Sequence, residues 1–234
     1  MSAKRLLASC RAIDGTLAQT YLRRRGVTAF AGTQSLRFHP SCFYRAEADA
    51  PVETWPALVA AVTDLSHRIT GAHRTWLDPE LGGSHHGKAS IAHPKRALGG
   101  IGTHAVRFGL ARDVMAAGEG IETMLSLRSV LPTLPMIATL SASNLAAVRF
   151  PASLRRFYIA RDADPAGERA AAALAARALE AGIEAIGLAP RLNDFNDDLI
   201  ALGVVELGAR PIHPVDWRPQ ATRSAGSERA RDST

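Results

Sequence analysis

The spacing of apolar residues changes partway along the chain, from a mixed pattern to a regular alternation of strands and helices. Over residues 17–25, Leu17, Tyr21 and Leu22 recur at helical spacing, with Asp14 or Thr16 placed to cap the first turn and Gly26 to end the last. Residues 36–39 form a short extended run that Pro40 is expected to stop, and the polar stretch holding Glu47, Asp49 and Pro51 reads as loop. Two longer apolar runs, 58–65 and 69–77, read as strands able to pair as a hairpin through a turn at 66–68, although 58–62 suits a helix equally well. Residues 78–103, rich in Gly, His, Pro and Lys, predict long loops with little regular structure, a kind of segment that often binds something.

From Asp113 onward the pattern becomes βα alternation. Strands are expected near 114–117, 136–140, 157–160 and 183–189, and helices from about Ile121, near Asn144 and over 165–181. Such alternation predicts an α/β fold with a parallel sheet covered by helices. Residues 210–234, rich in Pro, Arg and Ser, read as a basic, disordered tail. The expected organisation is an amino-terminal α+β subdomain over 1–108, an α/β domain over 109–205 and the tail over 206–234.

Composition narrows this picture only slightly. The 234 residues carry a net charge of +6, which favours polyanionic partners, but part of that excess sits in the tail at Arg218, Arg223, Arg229 and Arg231. Cys10 and Cys42 form no CxxC pair, so no disulfide is expected, and His85, His86 and His93 match no standard zinc spacing. The apolar run after Lys4 and Arg5 is too short for a signal, and no window approaches the ~20 apolar residues of a spanning helix. A reducing cytoplasm is the simplest expectation.

The chemistry is concentrated where apolar strands end in acids. Phe157, Tyr158, Ile159 and Ala160 run into Arg161, Asp162, Ala163 and Asp164, and Pro165, Ala166 and Gly167 start a helix behind them. Residues i and i+2 of an extended chain share a face, so Asp162 and Asp164 repel unless a cation lies between them. Mg²⁺ is the natural occupant, since it takes hard oxygen ligands and leaves positions for phosphate and water. Asp164 as a plain helix cap is the competing reading. A second acid, Glu119, follows the run Val114 to Gly118, with Gly118 and Gly120 on either side allowing a ligand to approach closely.

These segments resemble the Toprim family, the fold shared by bacterial-type primases, topoisomerases and some nucleases. The resemblance rests on Glu119-Gly120, on Asp162-Ala163-Asp164, and on Asn193-Asp194-Phe195-Asn196-Asp197-Asp198, which is similar to the acidic loop that ends primase Toprim domains. It covers roughly residues 106–201. In the amino-terminal part, Tyr21 to Val27 and Leu36 to Pro40 look like the start of a bacterial replicative primase core. Gly71 to Asp78 and Lys88-Ala89 are similar to Toprim proteins of plasmids, phages and other mobile elements.

The resemblance implies catalytic Glu119, Asp162 and Asp164, metal ligands Glu119, Asp162, Asp164 and Asp194, and Mg²⁺ or Mn²⁺ as cofactor. It implies primer synthesis from nucleoside triphosphates on single-stranded DNA. Complete primases carry a zinc-binding domain in front and a helicase-binding domain behind; neither is read in these residues, so a partner is expected to supply them. The chain departs from the primase pattern at Thr123, where an Asp is usual, with Glu122 as the nearby acid. Arg25, Arg37, Arg74, Lys88 and Gly120 are the candidate nucleotide or nucleic-acid contacts, with Arg23, Arg24, Lys95 and Arg96 as further basic candidates and Trp76, Phe38 and Tyr44 as candidate stacking residues. A metal-dependent nuclease and a noncatalytic DNA-binding accessory are the alternatives. A topoisomerase is disfavoured, because Tyr21, Tyr44 and Tyr158 each sit in a segment with another explanation.

Overall fold

The amino-terminal half builds an antiparallel sheet with a helix on each face. In the computed structural model, which describes residues 2–30, 32–82 and 86–209, it opens with α1 (Ala3–Ala8), capped by the Ser2 hydroxyl, and α2 (Leu17–Arg24). Gly26 follows at φ 74°, a left-handed position that glycine adopts readily, and the helix ends there as its sequence predicts. The Thr16 hydroxyl occupies the cap position but donates back to the Ile13 carbonyl instead of capping α2. Strands β1 (Leu36–Tyr44), β2 (Glu53–Thr63), β3 (Ile69–Trp76) and β4 (Lys95–Gly99) then pair antiparallel.

Two local expectations are corrected. Pro40 does not stop β1: the register against β2 shifts between His39 and Cys42, an irregularity that absorbs a residue with no N–H to donate. The 78–103 stretch is not loop throughout, because β4 lies within it and pairs with β3 from Thr75↔Lys95 to Gly71↔Gly99. The hairpin reading of β2 and β3 holds, and the helical alternative for 58–62 does not. His85 and the 210–234 tail lie outside the described residues.

Side chains alternate across this sheet, and the alternation decides where each basic residue goes. One face carries Leu36, Phe38, Leu58, Ala60 and Val62 and packs against Tyr21 and Leu22 of α2. The registers Leu58↔Thr75 and Ala60↔His73 put Thr75 and His73 on that same face. The opposite face carries Ala57, Val59, Ala72 and Trp76 and packs against Ala3 and Leu6 of α1.

The carboxyl-terminal half has the βα order expected from its periodicity. It comprises β5 (Ala105–Phe108), β6 (Val114–Gly118), α3 (Ile121–Val130), β7 (Met136–Ala138), α4 (Ala142–Ala147), β8 (Arg156–Ala160), α5 (Pro165–Glu180), β9 (Glu184–Leu188) and α6 (Phe195–Ala209). Strands β7, β6, β8 and β9 run parallel in that order. Strand β5, not expected from the sequence, pairs antiparallel with both β2 and β7. It thereby fuses the halves into one sheet of nine strands among the described residues, with path order β4-β3-β2-β5-β7-β6-β8-β9 and β1 against β2. Helix α6 was expected only as an acidic loop; it breaks at Gly203 (φ 79°) and packs on α3.

Candidate metal and nucleotide site

In an open α/β sheet ligands bind beyond the carboxyl ends of the parallel strands, and the acids lie there. Glu119 follows β6, and Asp162 and Asp164 follow β8. Asp194 is brought beside them by the backbone, since the Ala163 N–H donates to the Asn193 carbonyl at 2.7 Å. Asp164 Oδ1 accepts from the Gly167 N–H at 2.6 Å and caps α5, while Asp194 Oδ1 accepts from the Asn196 and Asp197 N–H groups at 2.7 and 2.8 Å and caps the first turn of α6. Helix capping and membership of the acidic cluster therefore coexist at Asp164. Gly167 is obligatory for close approach: a Cβ there would stand 2.7 Å from the Asp162 carbonyl oxygen. Leu140 takes a left-handed φ of 76° so that its N–H reaches the Glu119 carbonyl at 2.8 Å, strain located beside the site.

The acids load each other electrostatically. Burial, followed by the charges of Glu119, Asp194 and Asp164, pushes the Asp162 carboxyl up to about 7, against a lowering pull from Lys95. Burial and then Asp164 raise Glu119. Among the described residues no three such side chains already converge in ligating geometry. The donor set nonetheless fits a hard divalent cation, because Glu119 Oε1 and Asp162 Oδ1 are buried and have no hydrogen-bond partner.

Facing the acids is a basic cluster from the amino-terminal half. Lys95 on β4 reaches Glu122 Oε2 at 2.9 Å, and Tyr21 of α2 donates to Glu122 Oε1 at 2.6 Å. Glu122 is buried at 4% exposure; burial alone would raise its carboxyl, but Lys95, Arg25 and Lys88 outweigh it and hold the group well below its usual range. Burial, then Lys95 and Arg25, lowers Lys88 to about 8, with Glu122 and Asp194 pulling upward. Arg25 has Nε and one terminal nitrogen buried without partners. Glu122 is thus the counter-ion of the basic cluster, and the usual acidic position is filled by the buried Thr123. Sequence reading set Lys95 among many bases and took Glu122 only as a displaced acid; nothing local reveals a pair assembled from α2, β4 and α3.

The basic candidates divide between the two sheet faces. Arg25 and Lys88 join the cluster beside the acids, and Gly120 caps α3 at the same end. Arg37 and Arg74 do not: Arg37↔Val59 and Val59↔Arg74 set both on the α1 face, away from the acids. Trp76, Tyr44 and Phe38 are core residues at 1%, 3% and 4% exposure, so they are not an open stacking surface.

Comparisons with known proteins agree with this geometry. Residues 114–204 match the Toprim domain family, and residues 1–108 match a domain of unknown function, DUF7146. No curated protein matches the sequence. Among solved structures, the chain is similar to the Aquifex aeolicus primase, zinc-binding and RNA polymerase domains, with TM-score 0.57 at 15% identity over 88% of this chain and 58% of that one. It is similar to a DNA primase domain from Pseudomonas aeruginosa (TM-score 0.57, 14% identity, 86% and 74% coverage). It is similar, too, to the primase fragment of the bacteriophage T7 primase-helicase protein (TM-score 0.52, 13% identity, 79% and 72% coverage). The chain spans little more than half the length of the Aquifex aeolicus structure, and identities this low establish the fold. With its acids at the strand ends and its family match across 114–204, the chain carries a Toprim domain within a primase-like fold.

Proposed function

We propose that the chain is a metal-dependent nucleotidyltransferase that makes primers on single-stranded DNA. One observation carries the reading: basic side chains of the amino-terminal half lie beside the acids of the other half, with Lys95 of β4 paired to Glu122 at 2.9 Å three residues after Glu119 and its charge lowering the Asp162 carboxyl. Asp162 and Glu119, with the free sides of Asp164 and Asp194, would hold Mg²⁺ or Mn²⁺. When bound, such an ion neutralises triphosphate charge and acidifies an attacking hydroxyl. Lys88, Lys95 and Arg25 provide donors for the triphosphate oxygens. A primer 3′-hydroxyl attacks the α-phosphorus, the new O–P bond replaces the bond to the bridging oxygen, and pyrophosphate leaves. Glu119 Oε1, buried and unpartnered, serves as ligand or as acceptor of the hydroxyl proton. A cytoplasmic setting and a helicase or zinc-binding partner follow as part of the proposal.

The test is primer synthesis on single-stranded DNA with Mg²⁺ or Mn²⁺ and labelled nucleotides, comparing wild type with an Asp162→Ala, Asp164→Ala double variant. Templated products from wild type alone support the reading. Products from both overturn the mechanism, and products from neither with DNA binding retained point to an accessory subunit. Thr123 and the sequestered Glu122 favour a second reading, a metal-dependent nuclease that activates water with fewer carboxylates. DNA nicking without nucleotides, lost in Glu119→Gln, would identify it.

A further inference from the structure

On the sheet face opposite the acids, two arginines stand directly across from each other. The register Arg74↔Arg96 places both guanidinium groups on the α1 face of β3 and β4, and Arg74 is lowered by burial and further by the charge of Arg96. Like charges opposed across a ladder are destabilising, and among the described residues neither has a carboxylate partner. Arg74 lies 4.8 Å from the Trp76 ring centroid and donates to the Ala97 carbonyl, while Arg96 lies 5.8 Å from the Tyr44 centroid and donates to the Arg45 and Ala46 carbonyls. Trp76 and Tyr44 are themselves locked edge to face at 5.0 Å. The guanidinium planes are thus fixed from below, and Arg74 Nε is buried without a partner.

These groups border a cleft of about 510 Å³ whose remaining walls are Phe43, Arg45, Val52 and Leu98. Three arginines and no acid line it, and Val52 is 51% exposed at its mouth. Paired cations want an anion, a flat guanidinium surface accepts a stacked ring, and an apolar wall excludes water from both. We propose that this cleft is a second nucleotide site, taking a phosphate on Arg74 and Arg96 and a base against Val52 and Leu98. It lies on the face of the sheet opposite Lys95 and Glu122, and holds either a nucleotide of a single strand or a free nucleotide. The inference rests on the reading of the chain as a nucleic-acid enzyme, and its test omits the reaction.

Binding is measured in EDTA by fluorescence anisotropy of a labelled oligothymidylate and by calorimetry with ATP, for the full chain and for Arg96→Gln and Val52→Glu. Because Arg96 also braces two carbonyls, thermal unfolding checks that variant, and Val52→Glu repeats the test from an exposed position. Val52→Glu and Arg96→Gln each weaken oligonucleotide binding about tenfold, and Arg96→Gln lowers the salt dependence of log K by about 0.7. Loss for the oligonucleotide only identifies a strand site; loss for ATP as well identifies a mononucleotide site. Unchanged affinity for both probes in folded Val52→Glu and Arg96→Gln would falsify the second site, whatever the outcome of primer synthesis.

Discussion

Asp162→Asn should make the metal-free protein more stable while removing a carboxylate proposed to hold the metal. In the folded chain the Asp162 carboxyl sits at about 7 instead of an ordinary 3.8, through burial and then Glu119, Asp194 and Asp164. At about 1.4 kcal/mol per pH unit the displacement sets a ceiling of roughly 4 kcal/mol, and partial exposure of the group halves it to roughly 2 kcal/mol. The sign follows from proton linkage. A carboxyl raised in the folded state holds its proton where the unfolded chain has lost it, so stability falls as pH rises from about 4 to about 7 and is level above. Asparagine carries no such penalty. In EDTA at pH 8 the variant should melt about 4–8 °C above wild type, and by pH 5 the advantage should shrink to about a third. Thermal unfolding followed by circular dichroism at both pH values measures this. Equal melting temperatures at pH 8, or an advantage that does not change with pH, would refute the crowding of three acids around Asp162.

Three further outcomes follow from the same geometry. Glu122→Gln should cost about 3–5 kcal/mol in urea unfolding, because it strands Lys95, Lys88 and Arg25 around a neutral buried amide; a loss below about 1 kcal/mol would mean that the cluster is solvated. Nucleotide affinity should weaken as pH rises through about 8, where Lys88 loses its proton, and Lys88→Arg should flatten that profile. Gly167→Ala, whose Cβ would press on the Asp162 backbone at 2.7 Å, should lower Mn²⁺ affinity about tenfold or more by paramagnetic titration, with α5 still formed by circular dichroism.

How far the sequence discloses this molecule depends on the range of the interaction involved. The parallel half was legible because an apolar strand, an acid and a helix succeed one another within about ten residues, and local periodicity encodes all three. The acids at 119, 162, 164 and 194 come together because each terminates such a unit. The β2–β3 hairpin was legible for the same reason. Strands β4 and β5 were not: they are short, and β5 exists only because it finds partners on both sides. Glu122 and Tyr21 are 101 residues apart, so no window contains their bond. Strand alternation puts His73 and Arg74 on opposite faces, but it does not say which face α2 covers and which α1, and that choice sets Arg37 and Arg74 away from the acids.

The acidic and basic clusters are prepared unequally. The basic one already has its counter-ion: Glu122, fixed by the Tyr21 hydroxyl, compensates Lys95, Lys88 and Arg25. The acidic side has none, apart from the pull of Lys95 on Asp162, and two of its oxygens are buried with nothing to bind. Unsatisfied buried carboxylates are costly, and a protein retains them where something else supplies the missing charge. The uncompensated negative charge therefore lies on the side contributed by 114–204, and the proposed divalent cation would neutralise it. On the primase pattern an acid would stand at position 123. Here Thr123 is neutral and Glu122 turns toward the bases, so one negative charge lies with the bases instead of with the other acids. The bases come from one half and the acids from the other, joined in one sheet through β5, so the charge balance is a property of the fused fold and not of either half alone.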